Sequence, residues 1–191
     1  MLMQIGQKPE HDFSEPIGML EDCHKRIDHF MQTIVTLEES VGAAPLNADD
    51  RDSLERSLRY FRKAAPRHNA DEEESLFPKL RSHSDVEAEA MFARLASLSA
   101  DHHWAETQHF EIDAIGSRWL SAGVLHSNDH ARLRTLVHSL SRFYAHHIEI
   151  EEQEVFPTAR RILSAAERNT VEREMAERRG IMWPHGPGVV P

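Results

Sequence analysis

Two stretches of this chain carry the residue types and spacing of metal ligands: His68-Asn-Ala-Asp-Glu72-Glu-Glu-Ser-Leu-Phe77-Pro78 and His147-Ile-Glu-Ile-Glu151-Glu-Gln-Glu-Val-Phe156-Pro157. In each, a His is followed at i+4 by a Glu and then, five residues later, by Phe-Pro. On an α-helix, i and i+4 share a face about 6 Å apart along the axis, so an imidazole and a carboxylate can reach one cation. Two further pairs, His24/Asp28 and His102/Glu106, repeat the spacing within apolar stripes.

Each pair alone has an ordinary explanation. A His in an apolar stripe is usually a hydrogen-bonded core residue, and a His-Glu pair on a solvated helix face contributes little. The common phase of four such pairs argues otherwise, because burying that many ionisable groups without a cation is costly. Four imidazoles with several carboxylates exceed the needs of tetrahedral zinc. They suit octahedral iron or manganese, and carboxylates able to bridge suit two ions roughly 3.5 to 4 Å apart. Two doublets need resolving. At 100° per residue His102 and Glu106 stay in the stripe of Leu95 and Leu98 while His103 points aside, so His102 is chosen and His103 held in reserve. His147 is chosen over His146 because it has Glu151 at i+4.

These residues need long helices to hold them. Residues 1–13 read as an N-terminal arm. Ser14 is a candidate N-cap, with Pro16 in the first turn, and Leu20, Ile27, Met31 and Ile34 mark a helix running to about Val41. Asp49 or Asp50 caps a second helix through Leu54, Leu58 and Phe61, which Pro66 is expected to bend just before His68. A third helix spans about Val86 to Leu120, and a fourth starts at Asn128 or Asp129 and carries Leu133, Leu136, Val137, Leu140 and Phe143. The first helix pair resembles the second at an offset of 78 to 79 residues. The expected fold is all-α: an up-down-up-down four-helix bundle over 14–163, a short helix over 164–180 opened by the capping box Ser164-x-x-Glu167, and an irregular Pro/Gly-rich tail over 181–191.

Composition narrows the partners. The net charge of −10 argues against nucleic acid and anionic membranes. No apolar run reaches the length of a membrane span and no signal-peptide segment is evident, so a cytoplasmic protein is expected. The single cysteine, Cys23, excludes an internal disulfide and reads as a small core residue. Trp104, Trp119 and Trp183 read as core, interface or tail aromatics without chemistry. A homodimer is possible.

From about Ile17 to Leu163 the chain resembles a bacterial hemerythrin-family protein, the HHE cation-binding domain. The resemblance rests on Leu20-x3-His24, His68-x3-Glu72-Glu-x3-Phe77-Pro78, Leu98-x2-Asp101-His102 and His147-Ile-x2-Glu151-Glu-x3-Phe156-Pro157. It implies a non-haem di-iron centre with an oxo or hydroxo bridge, manganese or zinc being possible substitutes. The ligands so implied are His24, His68, Glu72, His102, His147 and Glu151, with Glu72 and Glu151 bridging. Oxygen-carrying members have a second His where this chain has Glu106. As a seventh ligand, Glu106 would add negative charge and favour the ferric state, making reaction with oxygen, peroxide or nitric oxide more plausible than reversible carriage. Asp28 is read as an outer partner orienting an imidazole. The expected function is binding or reduction of a small oxidant in stress defence, its electron donor unknown. The alternative is a non-enzymatic iron or redox sensor acting through its C-terminal segment.

Overall fold

The computed structural model describes residues 10–42, 44–83 and 88–182. Among them all regular structure is helical and no strand occurs. The expected start of the third helix at Val86, most of the arm, and the tail with Trp183 lie outside the described residues. No helix among them is long and apolar enough to cross a membrane.

Helix α1 (Pro16–Val41) starts on a proline, whose missing N–H is not needed in the first turn. Ser14 does not cap it; the residue preceding the helix is Glu15, and the Ser14 hydroxyl donates to Asp12 instead. Helix α2 (Ala48–Lys63) is capped by Asn47, which accepts from the Asp50 N–H, while Asp49 and Asp50 favour the positive end of the helix dipole from the first turn. The bend expected at Pro66 is a break at Ala64, after which α3 (Ala65–Ala70) takes Pro66 into its first turn.

Both His-x3-Glu motifs then run into π-helical segments, Asp71–Leu76 and Glu151–Val155, not into continuous α-helix. The first leads into α4 (Phe77–Arg81); the second follows α6 (Ser127–Ile150) and leads into α7 (Phe156–Ile162). In each, the Phe N–H donates to the carbonyl of the Glu five residues back. The prolines explain this. Pro78 and Pro157 lack an N–H, and their rings crowd the carbonyl four residues earlier, so the chain widens by one residue per turn. The wider turn keeps Glu72, Leu76 and Phe77 all buried, and likewise Glu151, Val155 and Phe156. Pro157→Ala is expected to let the segment anneal into α-helix. Thermal stability of the metal-free chain should then rise, because proline inside a helix costs about 3 kcal/mol, while cation affinity measured by calorimetry falls as Glu151 rotates off the interior.

Helix α5 (Ala88–Ala122) is the longest, and α8 (Ala165–Arg178) begins with the expected capping box between Ser164 and Glu167. Helix α1 packs on α2 and α6, and α5 packs on the same two helices from the other side. At the far end of α1 the buried Glu38 receives Arg134 at 2.9 Å and lies 2.8 Å from His130, both from α6.

The apolar interior is divided. One cluster joins Ile27 to Leu37, Leu54 to Ala65, Ala105 to Trp119 and Leu133 to Tyr144. A smaller one joins Ile17 to Leu20, Leu76 to Leu80, Leu95 and Leu98, Val155 to Leu163, and Val171 and Met175 of α8. His24, His68, His102 and His147 fall between the two stretches on their respective helices.

Candidate metal centre

Six of the seven residues singled out from the sequence meet in that gap. Each helix turns its His inward because the His continues the apolar stripe, and all four imidazoles are at most 5% exposed. Glu72 and Glu151 are fully buried. Glu72 Oε1 lies 3.5 Å from His68 Nε2 and 3.9 Å from His24 Nε2, while its other oxygen lies 3.3 Å from His102 Nε2. Glu151 divides the same way: Oε2 is 3.1 Å from His24 Nε2, and Oε1 is 3.2 Å from His147 Nε2 and 3.9 Å from His102 Nε2. His102 and His147 bring their Nε2 atoms within 3.0 Å of each other. The donors form two groups able to hold a cation, His24, His68, Glu72 and Glu151 on one side and His102, His147 and Glu151 on the other.

The outer ring nitrogens face acids to which the sequence reading gave no role. His24 Nδ1 donates to Glu152 at 2.9 Å, His102 Nδ1 to Glu73 at 2.7 Å, and His147 Nδ1 to Asp101 at 3.4 Å. Glu73 and Glu152 were visible as the second Glu of each repeated Glu-Glu doublet. The aromatic half of each Phe-Pro also has a place. Phe156 stacks on His24 and Phe77 on His102, with Phe143 over His147.

Charge follows from this crowding. Burial alone would lower the His24 pKa, but the carboxylates of Glu151, Glu152 and Glu72 around the ring hold it well above its ordinary value. Burial likewise works against a charged His102, and Glu72 and Glu73 overcome it, raising the ring to about 10. Glu72 and Glu151 feel the converse: burial pushes both up, and the surrounding imidazoles draw both below the usual carboxylate range.

Glu106 is not in the centre. Its side chain is 77% exposed and lies 3.9 Å from His103, itself 87% exposed. The core face of α5 passes through Leu98, His102, Ala105, Ile112 and Ile115, and one turn beyond His102 that face is occupied by Ala105. Four residues advance 400°, which carries Glu106 past the edge of the stripe. The negative charge it was expected to add to the centre is therefore not there. Asp28 is also exposed, and the outer-partner role expected of it belongs to Glu73, Glu152 and Asp101. His146 is exposed.

Residues 15–159 match the family model of the hemerythrin HHE cation binding domain. The chain belongs to that family. The match ends within a few residues of the resemblance seen in the sequence and contains every residue of the centre just described. A similar protein from Haemophilus influenzae, described as an uncharacterized protein, is 28% identical over 174 residues, spanning 88% of this chain and 92% of that one.

In this hemerythrin-family chain a cavity of about 250 Å³ opens beside the centre, with His102, Glu73, His109 and Tyr144 in its lining. His109 Nε2 and the Tyr144 hydroxyl are 2.7 Å apart, and burial drives the His109 pKa down to about 3, so the ring is neutral. Cys23 is buried, accepts a hydrogen bond from Arg26 at 3.0 Å, and belongs to neither cation-holding group of the centre.

Proposed function

We propose that this hemerythrin-family protein holds two iron ions between His24, His68, Glu72, His102, His147 and Glu151, and uses them to bind or reduce a small oxidant: oxygen, peroxide or nitric oxide. The carrying observation is that each buried carboxylate turns one oxygen toward each imidazole pair. Carboxylates placed so bridge two ions. His24 Nε2 and all four oxygens of Glu72 and Glu151 are buried without hydrogen-bond partners, which is costly unless a cation takes them. The order in which each helix visits the two apolar clusters supports alternating, up-down-up-down helices over 14–163, with the 164–180 helix laid against them.

Two iron ions would be held by His24, His68, Glu72 and Glu151 on one side and by His102, His147 and Glu151 on the other, and would supply the electrons that reduce a small oxidant. The chain does the rest. Glu152, Glu73 and Asp101 keep protons on the outer ring nitrogens, so the inner lone pairs of His24, His102 and His147 face the cations. Phe77, Phe143 and Phe156 cover three rings and exclude water. The cavity against His102 gives a small molecule an approach.

The test is iron content per chain after anaerobic loading, followed by a spectrum after air oxidation. Two irons per chain and near-ultraviolet absorption from a bridged ferric pair are expected. A colourless protein that takes only zinc, or one iron per chain at saturation, overturns the reading.

One observation favours the sensor alternative. Arg178 and Arg179, at the end of α8, both hold Asp71, which is fully buried next to Glu72, and Arg178 also reaches Ser75 at 3.1 Å. The C-terminal helix thus grips the π segment that carries a bridging carboxylate. Replacing both arginines by alanine strands a buried carboxylate, and a loss of about 3–5 kcal/mol is expected, read as a lower melting temperature and faster amide exchange in α8. Iron-dependent protection of α8 without peroxide turnover would favour the sensor.

A further inference from the structure

The two halves of the centre are copies related by the 78–79-residue repeat, so the partners of the outer ring nitrogens can be compared position by position. Two agree: Glu152 stands to His24 as Glu73 stands to His102. The next two do not. His147 Nδ1 faces Asp101 at 3.4 Å. The repeat counterpart of Asp101 is Cys23, and the counterpart of His147 is His68, whose Nδ1 is buried without a hydrogen-bond partner. The Cys23 thiol lies beside the His68 ring, within reach of a side-chain hydrogen bond. One turn on, Arg26 donates to the Cys23 sulfur, and its repeat counterpart is the uncharged Trp104.

We propose that the two cation positions are unequal, that the His102/His147 position fills first, and that Cys23 standing in place of an aspartate sets the difference. This rests on the two-cation reading. An imidazole whose outer N–H is held by a carboxylate is a stronger donor, locked in the tautomer with its inner lone pair free; losing that partner costs roughly 10–100-fold in metal affinity. His147 has such a partner. His68 has only the Cys23 thiol beside it, a far weaker acceptor than a carboxylate, and an imidazole so weakly held at its outer nitrogen is free to carry its proton on the inner one, where it blocks the cation. The fixed charges act in the same direction, because Asp101 favours a nearby cation and Arg26 opposes one.

The experiment is an anaerobic calorimetric titration of the full chain with ferrous ion, beside Cys23→Asp and Asp101→Cys. Repulsion between the two cations separates the binding steps in every variant, so the readout is the change in separation. Cys23→Asp is expected to narrow it by roughly 10–100-fold through a tighter second step, and Arg26 is at hand to pair the new carboxylate. Asp101→Cys is expected to narrow it through a weaker first step. Since Asp101 is one-third exposed, this variant carries the test if Cys23→Asp does not fold. In a nitrogen-15 histidine spectrum at one equivalent of zinc, His102 and His147 shift before His24 and His68. An unchanged separation in the folded variants, or the reverse order of histidine shifts, overturns the inference and leaves the two-cation centre standing. A wild-type chain with no ferrous binding step takes down the two-cation reading itself.

Discussion

If the centre holds the proposed iron pair, Glu72→Gln is expected to abolish it, with retention falling more than about 100-fold and the near-ultraviolet band lost while the chain stays helical. Loss of an outer partner of a ligating imidazole costs roughly 10–100-fold, and Glu72 is more than that. Its two oxygens face His24 and His68 on one side and His102 on the other, so one substitution removes a donor from both positions. Glutamine keeps the shape but offers one neutral oxygen, and its NH₂ group then points at imidazole nitrogens that a cation needs. Metal analysis by mass spectrometry, with circular dichroism as the control for folding, reads the result. Two irons per chain in the variant would remove Glu72 from the bridging role.

The second large effect is a divergence with pH between the metal-free and metal-loaded chain. His24 and His102 bind protons more tightly folded than unfolded, His102 moving from 6.5 to about 10. Their contribution is complete below about pH 6.5 and drains away as pH rises toward 10. Glu72 and Glu151 are shifted down, so theirs is present above pH 4.5 and is lost as pH falls below it. The metal-free chain should therefore melt highest between about pH 4.5 and 6.5 and progressively lower above that range. A cation requires the inner nitrogens unprotonated, so its affinity rises with pH over the same interval, by up to about 100-fold per unit if two protons are displaced. Thermal melts from pH 5 to 9, with and without metal, check this. Parallel curves would show that the imidazoles do not release protons to the cation.

Much of this centre could be read from the chain because its helices are regular on either side of it. Leu20, Ile27 and Ile34 in α1, and Leu133, Val137 and Leu140 in α6, fix the phase that carries His24 and His147 inward. The reading failed where regularity failed or where a single turn had to be extrapolated. Glu106 was assigned by its spacing from His102 and by extending the stripe of Leu95 and Leu98 at 100° per residue, although Ala105 holds the inner position on that turn. The π segments have no periodic signature; their cause, a proline that cannot donate, is local, and its effect on the Glu five residues earlier follows from hydrogen bonding. Asp101, Asp71 and the α8 arginines meet their partners across 46 to 108 positions of sequence, and such pairings are set by packing.

The split interior bears on how this molecule comes apart. Its two oily compartments face each other across a slab of imidazole and carboxylate, so cooperativity between the ends has to be transmitted through polar contacts at the waist. Without a cation at the waist, the protein is expected to yield first at the end closed by α8, which has the smaller share of apolar packing, while the larger compartment around Trp119 holds. Occupying the waist welds the halves into one melting unit, so the sharpness of the thermal transition reports loading as directly as its midpoint.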